Sequence, residues 1–99
     1  MKRNATIIKD INKMFPPVHK DYPVCFEIDG YVKVTSESYA KETVQLEDGS
    51  EDFEVTVIDY YGEFRGGYPW ANPKLESYLE KNGLRYEWDN PGAIALFKN

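Results

Sequence analysis

The chain of 99 residues holds one cysteine, one histidine and three arginines, Arg3, Arg65 and Arg85, and each shortage excludes something. Cys25 alone forms no internal disulfide, which suits a reducing cytoplasm. A structural zinc site takes four ligands, usually in closely spaced Cys/His pairs, so His19 and Cys25 predict no metal. Few arginines and a net charge of −5 argue against nucleic acid and against an anionic membrane surface, both of which need concentrated cations to displace counterions. No apolar run approaches the ~20 residues that span a bilayer. After Lys2 and Arg3, the apolar stretch of a signal peptide is interrupted by Lys9, Asp10, Asn12 and Lys13. The seven glycines never stand in G-x-x-x-x-G-K-[ST] or G-x-G-x-x-G, so no phosphate cradle and no cofactor are expected. Gly66-Gly67 precedes a helix, but Pro73 removes one of the amides that would hold an anion there.

What is present describes a globular fold. With 41% hydrophobic and 29% charged residues, the chain reads as one domain, residues 1–99, with a real core. Ile7, Ile8, Ile11 and Phe15 fall on one helical face, Asn4 is the expected N-cap, and Pro16-Pro17 stops the helix. In "VCFEIDGYVKVTS" two alternating runs flank Asp29-Gly30 and predict a hairpin. A two-residue turn would pair Ile28 with Tyr31 and put the two apolar faces on opposite sides of the sheet. One extra residue is therefore expected, through a loop Asp29-Gly30-Tyr31 or a bulge, pairing Ile28 with Val32 and Phe26 with Val34. Cys25 is read as a small, partly buried strand residue and His19 as a solvated loop residue.

A second hairpin turns at Asp48-Gly49 and pairs Val44 with Phe53, with Leu46, Val55 and Val57 continuing the inward set. "SESYAKE" reads as a capped turn after Ser36 or as a strand beginning at Tyr39, the strand being preferred. Asn72 as N-cap, Pro73 at the first helical position, Leu75, Tyr78 and Leu79 on one face and Gly83 beyond the end mark a second helix. Leu84, Tyr86 and Trp88 alternate in one further strand and "AIALF" forms another, joined at Asn90-Pro91-Gly92-Ala93 by an expected type II turn. The order α-β-β-β-β-α-β-β predicts an α+β domain, a mainly antiparallel sheet of five or six strands with two helices on one face.

Two stretches invite a functional reading. Residues 47–54 carry five carboxylates in eight positions without the spacing of a calcium loop, as a solvated hairpin tip or a face for a basic partner. Residues 60–70 carry Tyr60, Tyr61, Phe64, Tyr68 and Trp70 around Arg65, the residue types that dominate binding hot spots. Phe64 and Trp70 are expected to plug the core, with Tyr61, Arg65 and Tyr68 outward. If the second face of the sheet is solvated, Ile58 and Tyr60 extend that patch. The leading expectation is a cytoplasmic protein-binding module (adaptor, accessory or inhibitor) using Tyr60, Tyr61, Arg65, Tyr68 and Trp70, with self-association left open by the aromatic strand edge. The alternatives are a small hydrolase or isomerase using Asp59 and Glu63 as an acid/base pair, which requires a cleft, and a carbohydrate- or single-strand-binding module.

Overall fold

The computed structural model describes residues 2–18, 21–39, 42–45, 52–61 and 69–99, with the backbone alone at 42–45 and 52–55. His19, Leu46, Asp48-Gly49, Glu63, Phe64, Arg65, Gly66-Gly67 and Tyr68 lie outside the described residues.

Helix α1 (Asn4–Met14) buries Ile7 and Ile11, and Phe15 just past its end is buried too. The cap differs from expectation: Arg3 is the N-cap and makes no side-chain cap bond. Asn4 lies inside the helix, and its amide donates instead to Glu27 Oε2 at 2.8 Å.

Strands β1 (Cys25–Ile28) and β2 (Tyr31–Thr35) pair Ile28 with Tyr31 and Cys25 with Val34, so the expected extra residue is not there. Asp29 at φ 53° and Gly30 at φ 83° are both left-handed, as a two-residue type I′ turn requires, and that turn matches the twist of its strands. The anticipated penalty is real. Cys25 points inward with Val32 and Val34, while Ile28 is left 48% exposed. The inward position taken from Phe26 and Ile28 is filled by Val24 and Cys25, which are fully buried. Asn12 of α1 holds them: its Oδ1 accepts from the N–H groups of Val24 and Cys25 at 2.9 Å each, and its Nδ2 donates to Cys25 O at 2.8 Å.

Strands β3 (Glu42–Gln45) and β4 (Asp52–Val55) pair Val44 with Phe53, in the expected register, but form a two-stranded sheet of their own. Tyr39, the preferred strand start, stands outside β3, and residues 40–41 between the two lie outside the described residues. Tyr39 N–H closes a turn on Ser36 O at 3.0 Å, and Tyr39 makes one isolated bridge, to Pro17. After β4 the chain breaks at Thr56 and Val57, so no single strand runs on to Tyr60. Strand β5 (Ile58–Asp59) pairs instead with β6 (Trp70–Ala71). The Ser36 hydroxyl fastens β5 by donating to Ile58 O and accepting from Ile58 N–H, both at 2.8 Å. Ile58 is therefore in the core and does not extend an exposed patch.

Helix α2 (Pro73–Lys81) has the expected signals: Asn72 Oδ1 accepts from Lys74 N–H at 2.9 Å, Pro73 is first, and Leu75 and Leu79 are buried. Gly83 at φ 65° then turns the chain. Strands β7 (Leu84–Asn90) and β8 (Ala93–Lys98) form the last hairpin, with a register shift between Trp88 and Asn90. A type II turn would place Gly92 at positive φ, and it is not there. The Asn90 side chain shapes this turn instead, its Oδ1 accepting from Gly92 N–H at 2.8 Å.

The main sheet has four antiparallel strands in the order β1-β2-β8-β7, beside the two short pairs, rather than five or six in one sheet. The last strand in sequence enters the middle, between β2 and β7. Both helices lie on one face, where Ile7, Ile11, Phe15, Leu75 and Leu79 meet Val34, Ile94, Leu96 and Leu84 in one core cluster. No helix among the described residues is long and apolar enough to cross a membrane.

Candidate functional site

Strand alternation leaves the opposite face of the main sheet with its own set of side chains. Register places Phe26, Lys33, Ala95 and Glu87 in one row across the four strands. The neighbouring row holds Ile28 beside Tyr31, and Phe97 beside Arg85. Tyr31 is 51% exposed. Its ring meets Phe97 edge-on with centroids 6.1 Å apart, and the Arg85 guanidinium carbon lies 4.8 Å above the centroid of Phe97. This is an aromatic surface with a stacked arginine, of the kind expected at residues 60–70 but built from strands far apart in sequence. Single-strand periodicity could mark each residue as outward, but only the pairing order brings Tyr31, Phe97 and Arg85 together.

The charges on this face are largely matched within it. Lys33 Nζ lies 2.6 Å from Asp89 Oδ2, a pair that reaches across β8, and Arg85 Nη1 lies 3.3 Å from Glu87 Oε1. Such half-exposed pairs contribute little to stability. Their consequence is for recognition: both cations already have carboxylate partners, so the face offers no unmatched positive field for a polyanion.

Of the expected site residues the structure describes Tyr60, Tyr61 and Trp70. Tyr61 is 65% exposed and meets Tyr60 edge-on at 5.4 Å, and Tyr60 in turn meets Trp88 at 5.2 Å, so the pair is braced against β7. Trp70 sits on β6 at 7% exposure and has little surface left to offer a partner. Arg65 and Tyr68 are outside the described residues. Of the acid/base pair, Asp59 is half-buried on β5, and Glu63 is outside the described residues.

Clefts open beside the segment before β1, beside α2 and β7, and between α1 and α2. One, beside α1 and α2, is lined by Lys2, Asp10, Lys13, Met14 and Tyr78. Asp10 Oδ2 there accepts from Lys2 Nζ at 2.8 Å and from Tyr78 Oη at 2.7 Å, and those two bonds hold its carboxyl below the usual range. Burial first, and the Asp10 carboxylate second, push the Tyr78 hydroxyl well above the usual tyrosine value. The shifts oppose each other: the acid stays ionised and the phenol stays protonated at neutral pH, so the trio ties α1 to α2 rather than exchanging a proton. Among the described residues no group of three or more His, Cys, Asp or Glu could hold a metal ion. Cys25, fully rather than partly buried, has its thiol pushed up to about 12 by desolvation, and is inert as a nucleophile.

No protein-family model matches this chain, and no curated protein or solved structure matches it.

Proposed function

We propose that this chain is a protein-binding module and that the open sheet face around Ile28, Tyr31, Phe97 and Arg85 is its contact surface. The observation that carries this reading is the half-exposed Ile28 and Tyr31 side by side, continued by Phe97 under Arg85. A contiguous apolar patch on a small domain marks an interaction site more often than a single exposed residue does. Tyrosine and arginine held by neighbouring rings lose little entropy on binding, which is why they recur as hot spots. The matched charges of the face favour a protein surface over a nucleic acid. Tyr61 is a separate exposed aromatic, and the reading of residues 60–70 as a second contact rests on it.

The test is in-cell photocrosslinking from a reactive residue at position 28, with position 80 on the solvent side of α2 as control. A partner should be captured from position 28 and not from position 80. The double substitution Tyr31→Ala with Arg85→Ala should abolish capture while Tm falls by less than about 5 °C. Capture that survives this double substitution refutes the assignment. If the captured protein is a second copy, sedimentation should show dimer growing with concentration.

A further inference from the structure

Strand β7 is an outer strand of the main sheet, and among the described residues no further strand pairs with it. The opposite outer strand, β1, is closed where the Asn12 side chain bonds both the N–H and the C=O of Cys25. Along β7 the direction of the backbone groups follows from one bond: Asn99 N–H donates to Gly83 O at 2.9 Å. Hydrogen-bonded pairs alternate along an antiparallel ladder. Arg85 and Glu87 therefore direct their N–H and C=O groups toward β8, and Leu84, Tyr86 and Trp88 direct theirs to the outer edge. A cleft of about 380 Å³ runs beside that edge, lined by Glu76, Leu79, Glu80, Leu84, Arg85 and Tyr86 among others. Arg85 stands on the open face of the sheet and Leu84 and Tyr86 on the core side, so the cleft takes in both sides of the strand and the rim between them.

The side chains of β7 complement their own reversed order. Its regular stretch begins at Leu84 and ends at the register shift after Trp88, with Tyr86 in the middle. Antiparallel pairing with a second β7 about Tyr86 sets Tyr86 opposite Tyr86, Leu84 opposite Trp88, and Arg85 opposite Glu87. Aromatic, apolar and opposite-charge pairs of this kind are the ones that stabilise antiparallel sheets. The same register puts Leu84, Tyr86 and Trp88 in hydrogen-bonded positions, where their rim N–H and C=O groups meet partners, and puts Arg85 with Glu87 in the closer, non-bonded positions. Moving the centre to Arg85 or to Glu87 would set like charges face to face, so charge selects one register.

We infer that the β7 edge pairs with the β7 edge of a second copy about a two-fold axis at Tyr86, joining two four-stranded sheets into one continuous antiparallel sheet. Charges on an outer strand ordinarily discourage such pairing. Here Arg85 and Glu87 alternate in sign around the centre, so they repel a shifted strand and attract a correctly placed copy. Glu76 and Glu80 of α2 line the same cleft, and each copy brings them to the joint, which keeps the association weak. The edge is distinct from the open face around Tyr31 and Phe97, although Arg85 borders both, and either assignment stands if the other fails.

Sedimentation of the full chain should show monomer and dimer in exchange, with Kd on the order of 100 μM for so narrow a contact. Amide exchange locates the joint: at Leu84, Tyr86 and Trp88 it should slow about fourfold between ~10 μM and ~1 mM chain, as mass action on that Kd requires, with no such change at Glu27 on the β1 edge. Arg85→Glu sets like charges across the axis and should weaken the dimer about tenfold or more, and adding Glu87→Arg should restore it. Tyr86→Pro removes the central N–H, a change that outer strands tolerate, and should leave a folded monomer. Tyr31→Ala, on the open face, should leave the dimer as it is. A chain still monomeric at ~1 mM overturns the inference. So does a dimer that leaves these three amides unprotected, one that is lost with Tyr31→Ala, or a charge reversal that fails to restore association in a folded chain.

Discussion

Replacing Asn12 by leucine tests how the first hairpin is held to its helix. The side chain makes three hydrogen bonds to the backbone of Val24 and Cys25, at 2.8 to 2.9 Å. Leucine has nearly the same volume and no polar atoms, so packing is kept while two N–H donors and one carbonyl lose their partner. A buried group left unsatisfied costs about 1–3 kcal/mol. Asn12 is only half-buried, so water recovers part of this, and the total loss should be about 2–4 kcal/mol. A small domain has only about 5–15 kcal/mol to lose. The loss should appear in urea unfolding as a lower midpoint at unchanged slope, and as a Tm lower by about 10–25 °C. Amide exchange should rise at Val24 and Cys25 before the rest of the sheet. Asn12→Asp keeps the acceptor and loses the donor, and should fall between wild type and Asn12→Leu. An Asn12→Leu variant within about 0.5 kcal/mol of wild type would refute the claim that these bonds seat β1.

Two further outcomes follow from buried polar groups. Cys25 ionises near its ordinary 9.0 when unfolded but near 12 when folded, so above pH 9 the unfolded state releases its proton first. Stability should therefore be fully present below pH 9 and decline toward pH 12, and Cys25→Ala should flatten that decline in part, since the Tyr78 and Tyr86 hydroxyls are shifted in the same direction. A thiol reagent that labels Cys25 faster than the chain unfolds would contradict its burial. Asn72 both caps α2 and donates to Thr56 O at 2.9 Å. Asn72→Ala should cost about 2–3 kcal/mol, and Asn72→Asp, which keeps only the cap, about half of that.

Local chemistry was legible wherever one residue settles one backbone position. Asn72, Pro73 and Gly83 delimit α2 in the sequence as they do in the structure, because caps and left-handed glycines act within a turn of chain. The spacing of Ile7, Ile11 and Phe15 showed the buried side of α1 for a similar reason, and the expected pairing of Val44 with Phe53 is the one found. The first hairpin went the other way. Its apolar pattern argued for an added residue, but a favourable two-residue turn and an asparagine from another element outweighed the exposure of Ile28. That competition involves atoms twelve and more positions apart, and no window of sequence contains it. Sheet membership was decided in the same manner: β8 entered beside β2, which excluded the β3–β4 pair from the main sheet. So the sequence by itself determined the composition class, both helices and the start and stop of α2. Only the tertiary structure decided which outward residues became neighbours, because pairing order depends on how all the apolar faces close over one core at once.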